Sequence, residues 1–247
     1  TQENLQKEHI CCSMTEKKGD HSVTDKKAWL KERMEEGLVF YKADVRGKVF
    51  IEYIPAEYAW APIEAKGYMY IDCLWASGQY KGKGYGDSLM EQCIQDSKDK
   101  GKLGLVCISS KKKMPFLSDP GFMRHKGFKL ADTSSPYFEL LYLPFDSEAG
   151  VPWVKACAKD GRIDEMGWVL YYSNQCPHTE KYAPLLADII KGQGMECRLH
   201  KIDSREAAQS APVLFTTYAL FYNGKFVTNE VLSEKSFAKL WERIRER

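Results

Sequence analysis

Apolar positions along this chain switch repeatedly between a helical period and an alternating or continuous one, and the switches mark out its elements. Trp29, Leu30, Arg33 and Met34 share one helical stripe, so the pattern predicts a helix over 26–36 that Gly37 stops. A helix over 5–14 is expected before it. Strands follow at 38–45, 48–54 and 68–75, the first two joined by a tight turn at Arg46-Gly47. The period then returns to helical over 87–100, ending at Gly101. A buried strand is expected at 104–109 and a short or irregular helix within 114–126, broken at Pro120-Gly121. Strands at 128–132 and 137–143 complete the first unit, and a stretch richer in Asp, Glu, Gly and Pro reads as a connection. A second αβ unit follows, with a strand at 168–173, a helix at 179–193, a strand at 197–202 and a short helix at 205–209. A hairpin at 215–222 and 225–228 turns through Asn223-Gly224, and a helix over 233–245 closes the chain with Ser233 as its N-cap.

The 247 residues are ample for two domains, here 1–147 and 167–247 with a linker at 148–166. Apolar residues at 44% and charged residues at 28% imply a folded chain with a real core. A net charge of +2 argues against binding nucleic acid or membrane through bulk charge. No apolar run is long enough to span a bilayer, and the N-terminus does not read as a signal peptide. The eight cysteines form no CxxC pair and no zinc-finger spacing, which predicts no metal and fits a reducing cytoplasm.

The most informative run is Gln79-Tyr80-Lys81-Gly82-Lys83-Gly84-Tyr85-Gly86, set between an apolar strand and a helix. A glycine-rich turn there exposes backbone N–H groups at the positive end of a helix dipole, which is a phosphate site. A dinucleotide fold would open with such a run, and here two helices and three strands precede it. There is no Walker lysine-serine pair.

In this order of elements the chain resembles the GNAT family of acyl-CoA-dependent N-acetyltransferases. Their phosphate loop, R/Q-x-x-G-x-G/A, is matched from Gln79 to Gly84 and, with Lys for Arg, from Lys81 to Gly86, the second register fitting the helix start better. Gly127-Phe128 is similar to the family's later G-F signature. The resemblance covers about 1–145 and implies an α/β (α+β) fold, a mixed sheet flanked by helices and splayed at its fourth and fifth strands. It further implies acetyl-CoA, with its pyrophosphate on Lys81, Gly82, Lys83, Gly84, Tyr85 and Gly86. The pantetheine arm would pair with the backbone around Leu74 and Ala76, and Ser110 stands near where the family often uses an Asn. The family's first strand finds no counterpart in the chain.

Such enzymes need a base for the amine and an acid for the leaving thiolate. Simple alternation puts Tyr70, Asp72 and Leu74 on one face of their strand and Cys73 on the other. The resemblance then implies Asp72 as base, assisted by Tyr70, with Glu52 as the alternative. The competing reading of Asp72 is a salt-bridged or solvated strand-end carboxylate. A tyrosine acid would stand where this chain has Met123; His125 and Tyr137 are the nearby substitutes, His125 also reading as a solvated histidine. Lys111-Lys112-Lys113 reads as a solvated loop or an attractor of anions. His9, Cys11 and Cys12 form a compact cluster on the first predicted helix, better read as packing than as a soft-metal site.

Residues 167–247 resemble a smaller thioredoxin-like domain. Cys176-Pro177-His178-Thr179 lies where that fold keeps its active thiol, but Thr179 replaces the second cysteine and Thr216 stands at the cis-proline position. The combination resembles bacterial YoaP-like acetyltransferases. The expected function is acetyl transfer to a primary amine, small-molecule or peptide, with a homodimer admitted. A non-catalytic acyl-CoA sensor, and a thiol-dependent redox or metal protein built on Cys176 and Cys11/Cys12, are the alternatives.

Overall fold

The computed structural model describes residues 2–10 and 20–246. The first helix of these residues, α1 (Ser22–Glu35), begins four residues before its predicted start. Beyond it, Gly37 takes a φ of +93° while its N–H donates to Met34 and that of Leu38 donates to Arg33. These two bonds satisfy carbonyls that the helix end would otherwise orphan. The helix expected over 5–14 is not found in its described part. Residues 2–8 form turns, with Lys7 and Glu8 both donating to Asn4 O, and the remainder of that range, with Cys11 and Cys12, lies outside the described residues.

Six strands make the first sheet, in the order β1 (Val39–Lys42), β2 (Val49–Pro55), β4 (Met69–Ala76), β5 (Gly104–Ser110), β7 (Phe138–Pro144), β6 (Lys129–Ser134). Every neighbouring pair is antiparallel except β4 and β5, which run parallel and are joined by α2 (Tyr85–Asp99). That pair is short: only Met69–Ile71 meets Leu105–Cys107. Beyond Ile71, β4 stays bonded to β2 as far as Ala76, and β5 stays bonded to β7 as far as Ser110. The two strands therefore part while each keeps its outer partner, and the sheet opens between them.

The cause is local. Tyr53 pairs with Ile71 and Glu52 with Cys73, so Asp72 is an extra residue on β4, a β-bulge. A bulge bends its strand and raises its twist, and this one begins at the residue where pairing to β5 ends. It also corrects the alternation expected from the sequence. Tyr70 and Cys73 pack with the core on the α1 side of the sheet, whereas Ile71, Leu74 and Ala76 pack with the core on the α2 side. Leu74 thus leaves the face of Tyr70, and Cys73 joins it.

The later elements are α3 (Pro120–His125), then β9 (Trp168–Ser173), α4 (Pro177–Gly192), β10 (Cys197–Ile202), α5 (Arg205–Gln209), β11 (Tyr218–Tyr222), β12 (Lys225–Thr228) and α6 (Glu234–Arg245). The helix expected within 114–126 is only α3, because Asp119 caps it through the N–H groups of Gly121 and Phe122 and Pro120 fixes its first turn. The second sheet has the order β10-β9-β11-β12, with β10 and β9 parallel and the rest antiparallel. Ser233 caps α6 as expected, within a reciprocal box with Ser236.

The predicted linker is not a free connection. It contains β8 (Trp153–Val154), paired antiparallel with β3 (Ile63–Glu64), and its Lys159 grips Asp132 at 2.5 Å. One apolar cluster joins Trp29, Trp60, Tyr70 and Leu140 of the first unit to Val169, Leu214, Phe215 and Phe221 of the second. The two sheets are built on a common core.

Candidate active site

The glycine loop reaches α2 through a short 3-10 turn, Gly78–Tyr80. Gly84 is the N-cap of α2, in the left-handed region at a φ of +80°, and Gly82 has a φ of +71°. A Cβ on either glycine would meet nothing within 4 Å. The backbone at both glycines is thus open to close approach. The first intrahelical bond runs from Ser88 N to Gly84 O at 3.0 Å, so the N–H groups of Tyr85, Gly86 and Asp87 have no acceptor within the helix. Lys81 and Lys83 are exposed beside them, and Lys126 engages Asp87 at 2.5 Å, offsetting the negative charge in the first turn. The helix start supports the register from Lys81 to Gly86.

The loop is buttressed from below. The Tyr80 ring lies edge-on to Tyr85 at 5.5 Å, and its hydroxyl donates to Arg46 O at 3.3 Å. Tyr80 also lies against the backbone of Gly47, where any Cβ would collide with the ring. The β1–β2 turn thus packs against and supports the glycine loop.

Between loop and sheet lies the opening of β4 from β5. Leu74 and Ala76 stand on its β4 wall, half-buried, with their outer partners on β2. Ser110 ends the facing strand, β5. It is fully buried, and its hydroxyl donates to Lys112 O at 2.6 Å.

At the apex, where β4 leaves β5, the structure gathers four polar groups on the α1 side. The Lys26 ammonium bonds Glu52 at 2.7 Å with both side chains almost wholly buried. Glu52 in turn shares a hydrogen bond with Asp72, and Tyr70 lies alongside. Burial, then the charge of Glu52, pushes the Asp72 carboxyl well above its usual range, with Lys26 opposing. Asp72 still keeps some surface open to solvent. Burial and the neighbouring Asp72 push the Tyr70 phenol up as well, leaving it a neutral donor.

The structure brings Asp72, Tyr70 and Glu52 together. His125 is not with them. It is exposed at the end of α3, and α3 packs through Met123 into the opposite, α2-side core. Tyr137 is committed elsewhere, donating to Asn229 Oδ1 of the second unit at 2.6 Å, with its phenol pushed up to about 12 by burial. The residue that sequence reasoning missed is Lys26. It precedes Trp29 and Leu30 by three and four positions, so it lies on the buried stripe, and a lysine in register with those two apolar residues was the available signal.

In the second unit, Cys176 is the N-cap of α4 with Pro177 in the first turn. Thr179 donates to Ser173 O and Cys176 O, at 2.5 and 2.7 Å, and so ties the turn inward. Gln175 donates to Thr216 Oγ1 at 2.8 Å, and Thr216 donates to Trp60 O across the two units. The Cys93 and Cys107 thiols, each pushed up to about 12 by burial, are packing groups. Among the described residues there is no cluster of side chains fit for a metal and no helix long and apolar enough to cross a membrane. His9 bonds Gly47 O at 3.1 Å, while its expected partners Cys11 and Cys12 lie outside the described residues.

The profile of the Acetyltransferase (GNAT) family matches residues 4–114, and a YoaP-like profile matches 197–239. The chain is 43% identical, over 97% of its own length and 96% of the relative's, to the Bacillus subtilis (strain 168) protein described as "Uncharacterized N-acetyltransferase YoaP". Among solved structures it is similar to the PaiA N-acetyltransferase of Thermoplasma acidophilum in complex with coenzyme A, at 18% identity and a TM-score of 0.38, covering 53% of this chain and 80% of that one. It is also similar to the GNAT family N-acetyltransferase YhbS of Escherichia coli in complex with CoA, at 16% identity and a TM-score of 0.35, covering 53% and 75%.

Proposed function

The chain belongs to the GNAT family of acetyltransferases, and from that premise we propose that it transfers an acetyl group from acetyl-CoA to a primary amine, with Asp72 as the base. The observation that carries this reading is the position of Asp72: it is the bulged residue at the point where β4 leaves β5. Bound in the opening, acetyl-CoA supplies a thioester carbonyl for the amine to attack. The open cradle at Gly82 and Gly84 and the unpaired first-turn N–H groups fit its pyrophosphate, with Lys81 and Lys83 adding charge. Leu74 and Ala76 offer backbone to the pantetheine arm.

An aliphatic amine has a pKa of about 10.4 and reaches the site protonated. Asp72 takes that proton. An ordinary carboxylate, near 3.9, would be a weak base for the task, and burial beside Glu52 makes Asp72 a stronger one. Tyr70, held neutral, lies beside it with a hydroxyl available as a donor. The leaving thiolate has a pKa of about 8.5, so acid assistance is the smaller demand. Asp72→Asn tests the assignment: acetyl transfer is expected to fall by about 10²–10⁴-fold with coenzyme affinity by calorimetry intact. Unchanged turnover removes Asp72 as the base.

The second unit is inferred to be thioredoxin-like. Its strand order, the crossover α4 between a parallel pair and the thiol at the α4 N-cap support this. Thr179 in place of a second thiol, and Thr216 bonded to Trp60, favour a lobe that braces the first unit over a dithiol oxidoreductase. Six cysteines without a disulfide among the described residues favour a cytoplasmic setting. A non-catalytic acyl-CoA sensor is the second reading, favoured by the buried Met123 where the resemblance expects a tyrosine acid.

A further inference from the structure

Lys26 stands apart from the rest of the cluster. It comes from α1, its side chain has no exposed surface, and it is buried on that helix together with Val23, Trp29 and Leu30. A buried ammonium is costly unless a partner holds it, and evolution has cheaper ways to fill that volume with carbon. The partner is Glu52 at 2.7 Å, which also meets Asp72. The ammonium also lies 4.0 Å from the centre of the Trp29 ring, which fixes it from the other side.

The charges in this pocket decide where a proton can reside. Facing Asp72 are Lys26 from α1, Glu52 from β2 and Tyr70 on β4 itself, with the thiols of Cys73 and Cys107 beside Tyr70. With one proton on the carboxyl pair, Lys26 and one carboxylate cancel and the buried site is neutral. Losing that proton leaves a net negative charge in a poorly solvated place. Two carboxyls in contact could in general share one proton in either arrangement. Here the arrangement is asymmetric: the lysine is bonded to Glu52 at 2.7 Å, and Asp72 is the less buried of the two carboxyls.

We propose that Lys26 is a positioning residue for proton transfer: it holds Glu52 as the carboxylate and thereby assigns the proton of the pair to Asp72, at the mouth of the coenzyme cleft. The role rests on Asp72 being the base, and it adds what sets the condition of that base. Asp72 in its ionised form takes the proton from the amine, and the same Lys26–Glu52 pair then stabilises the protonated Asp72 that results. No atom moves on Lys26 or Glu52 in this step.

The two supporting residues act on Asp72 in opposite directions, which gives the test. Carboxyl resonances are followed by NMR against pH in protein labelled with ¹³C at aspartate, Asp72 being assigned from its absence in Asp72→Asn. In the wild type Asp72 is expected to titrate above the ordinary carboxylate range. Lys26→Met removes the balancing charge and should move the Asp72 midpoint up by about one pH unit or more, a tenfold change in its proton affinity. Lys26→Arg should restore it. Glu52→Gln removes the like charge, leaves the ammonium facing Asp72, and should move the midpoint down by about as much. If Lys26→Met does not fold, Glu52→Gln alone decides the matter. An Asp72 midpoint that is the same in these variants as in the wild type, or an ordinary one in the wild type, overturns the proposal. The base assignment stands or falls separately, by whether Asp72→Asn loses acetyl transfer.

Discussion

A carboxyl whose proton is held above its usual range is more stable in the fold when protonated than when ionised, and Asp72 is such a group. Its contribution to stability is fully present below about 3.9, the unfolded value, and is lost as the pH rises through its folded value. Asp72→Asn removes that loss. The variant should therefore melt above the wild type at pH 8, with the gap narrowing as the pH falls toward 4; scanning calorimetry across that range checks it. A variant less stable than the wild type at pH 8 contradicts the burial argument. Gains in stability at the cost of turnover are what a residue kept for chemistry should give. At this scale the sequence was a partial guide. Strand periodicity together with the family resemblance singled out Asp72, Tyr70 and Glu52, and the structure groups these three side chains. Lys26 was not singled out, because its meaning depends on Glu52, twenty-six positions away on another element.

Among the elements, the glycine loop and β4 behave differently as objects of prediction. The loop is local: glycines, lysines and the helix start are contiguous, and the structure keeps them as read. Gly84→Val should cost about 1–2 kcal/mol for its left-handed backbone and fill the space above it, so coenzyme affinity by calorimetry should fall at least tenfold. Gly47→Ala should weaken the coenzyme too, although Gly47 lies in the β1–β2 turn, because the added methyl displaces Tyr80. Unaltered affinity in Gly47→Ala would show that the turn does not support the loop. The bulge in β4, by contrast, was not legible. An extra residue exists only relative to the partner strand, so strict alternation placed Leu74 with Tyr70, and the pairing with β2 reversed it. The same event opens the sheet, so the resemblance supplied the splay while the bulge supplies its physical cause.

For the whole molecule, the shared core makes a strong statement about cooperativity. Trp29, Trp60, Leu214 and Phe221 belong to one cluster, and Gln209 of α5 donates to Glu57 O and Ala59 O of the first unit at 3.0 and 3.1 Å. Phe221→Ala, deep in the second sheet, should cost about 3–5 kcal/mol. That loss should appear in a single transition, followed by near-ultraviolet circular dichroism for the aromatics of both units. Two separated transitions would mean that the lobes fold independently. Composition and periodicity divided the chain at 148–166 because that stretch is polar and broken. They could not reveal that Lys159 and β8 bind it back to the first unit, since those contacts belong to distant partners.

The most direct test of the account is release of free thiol from acetyl-CoA by the intact chain, measured against pH over a panel of primary amines. Amine-dependent release by the wild type, rising with pH as Asp72 ionises and lost in Asp72→Asn, is the predicted result. Tight binding of acetyl-CoA with no amine-dependent release at any pH would contradict it and identify the protein as a coenzyme-binding sensor.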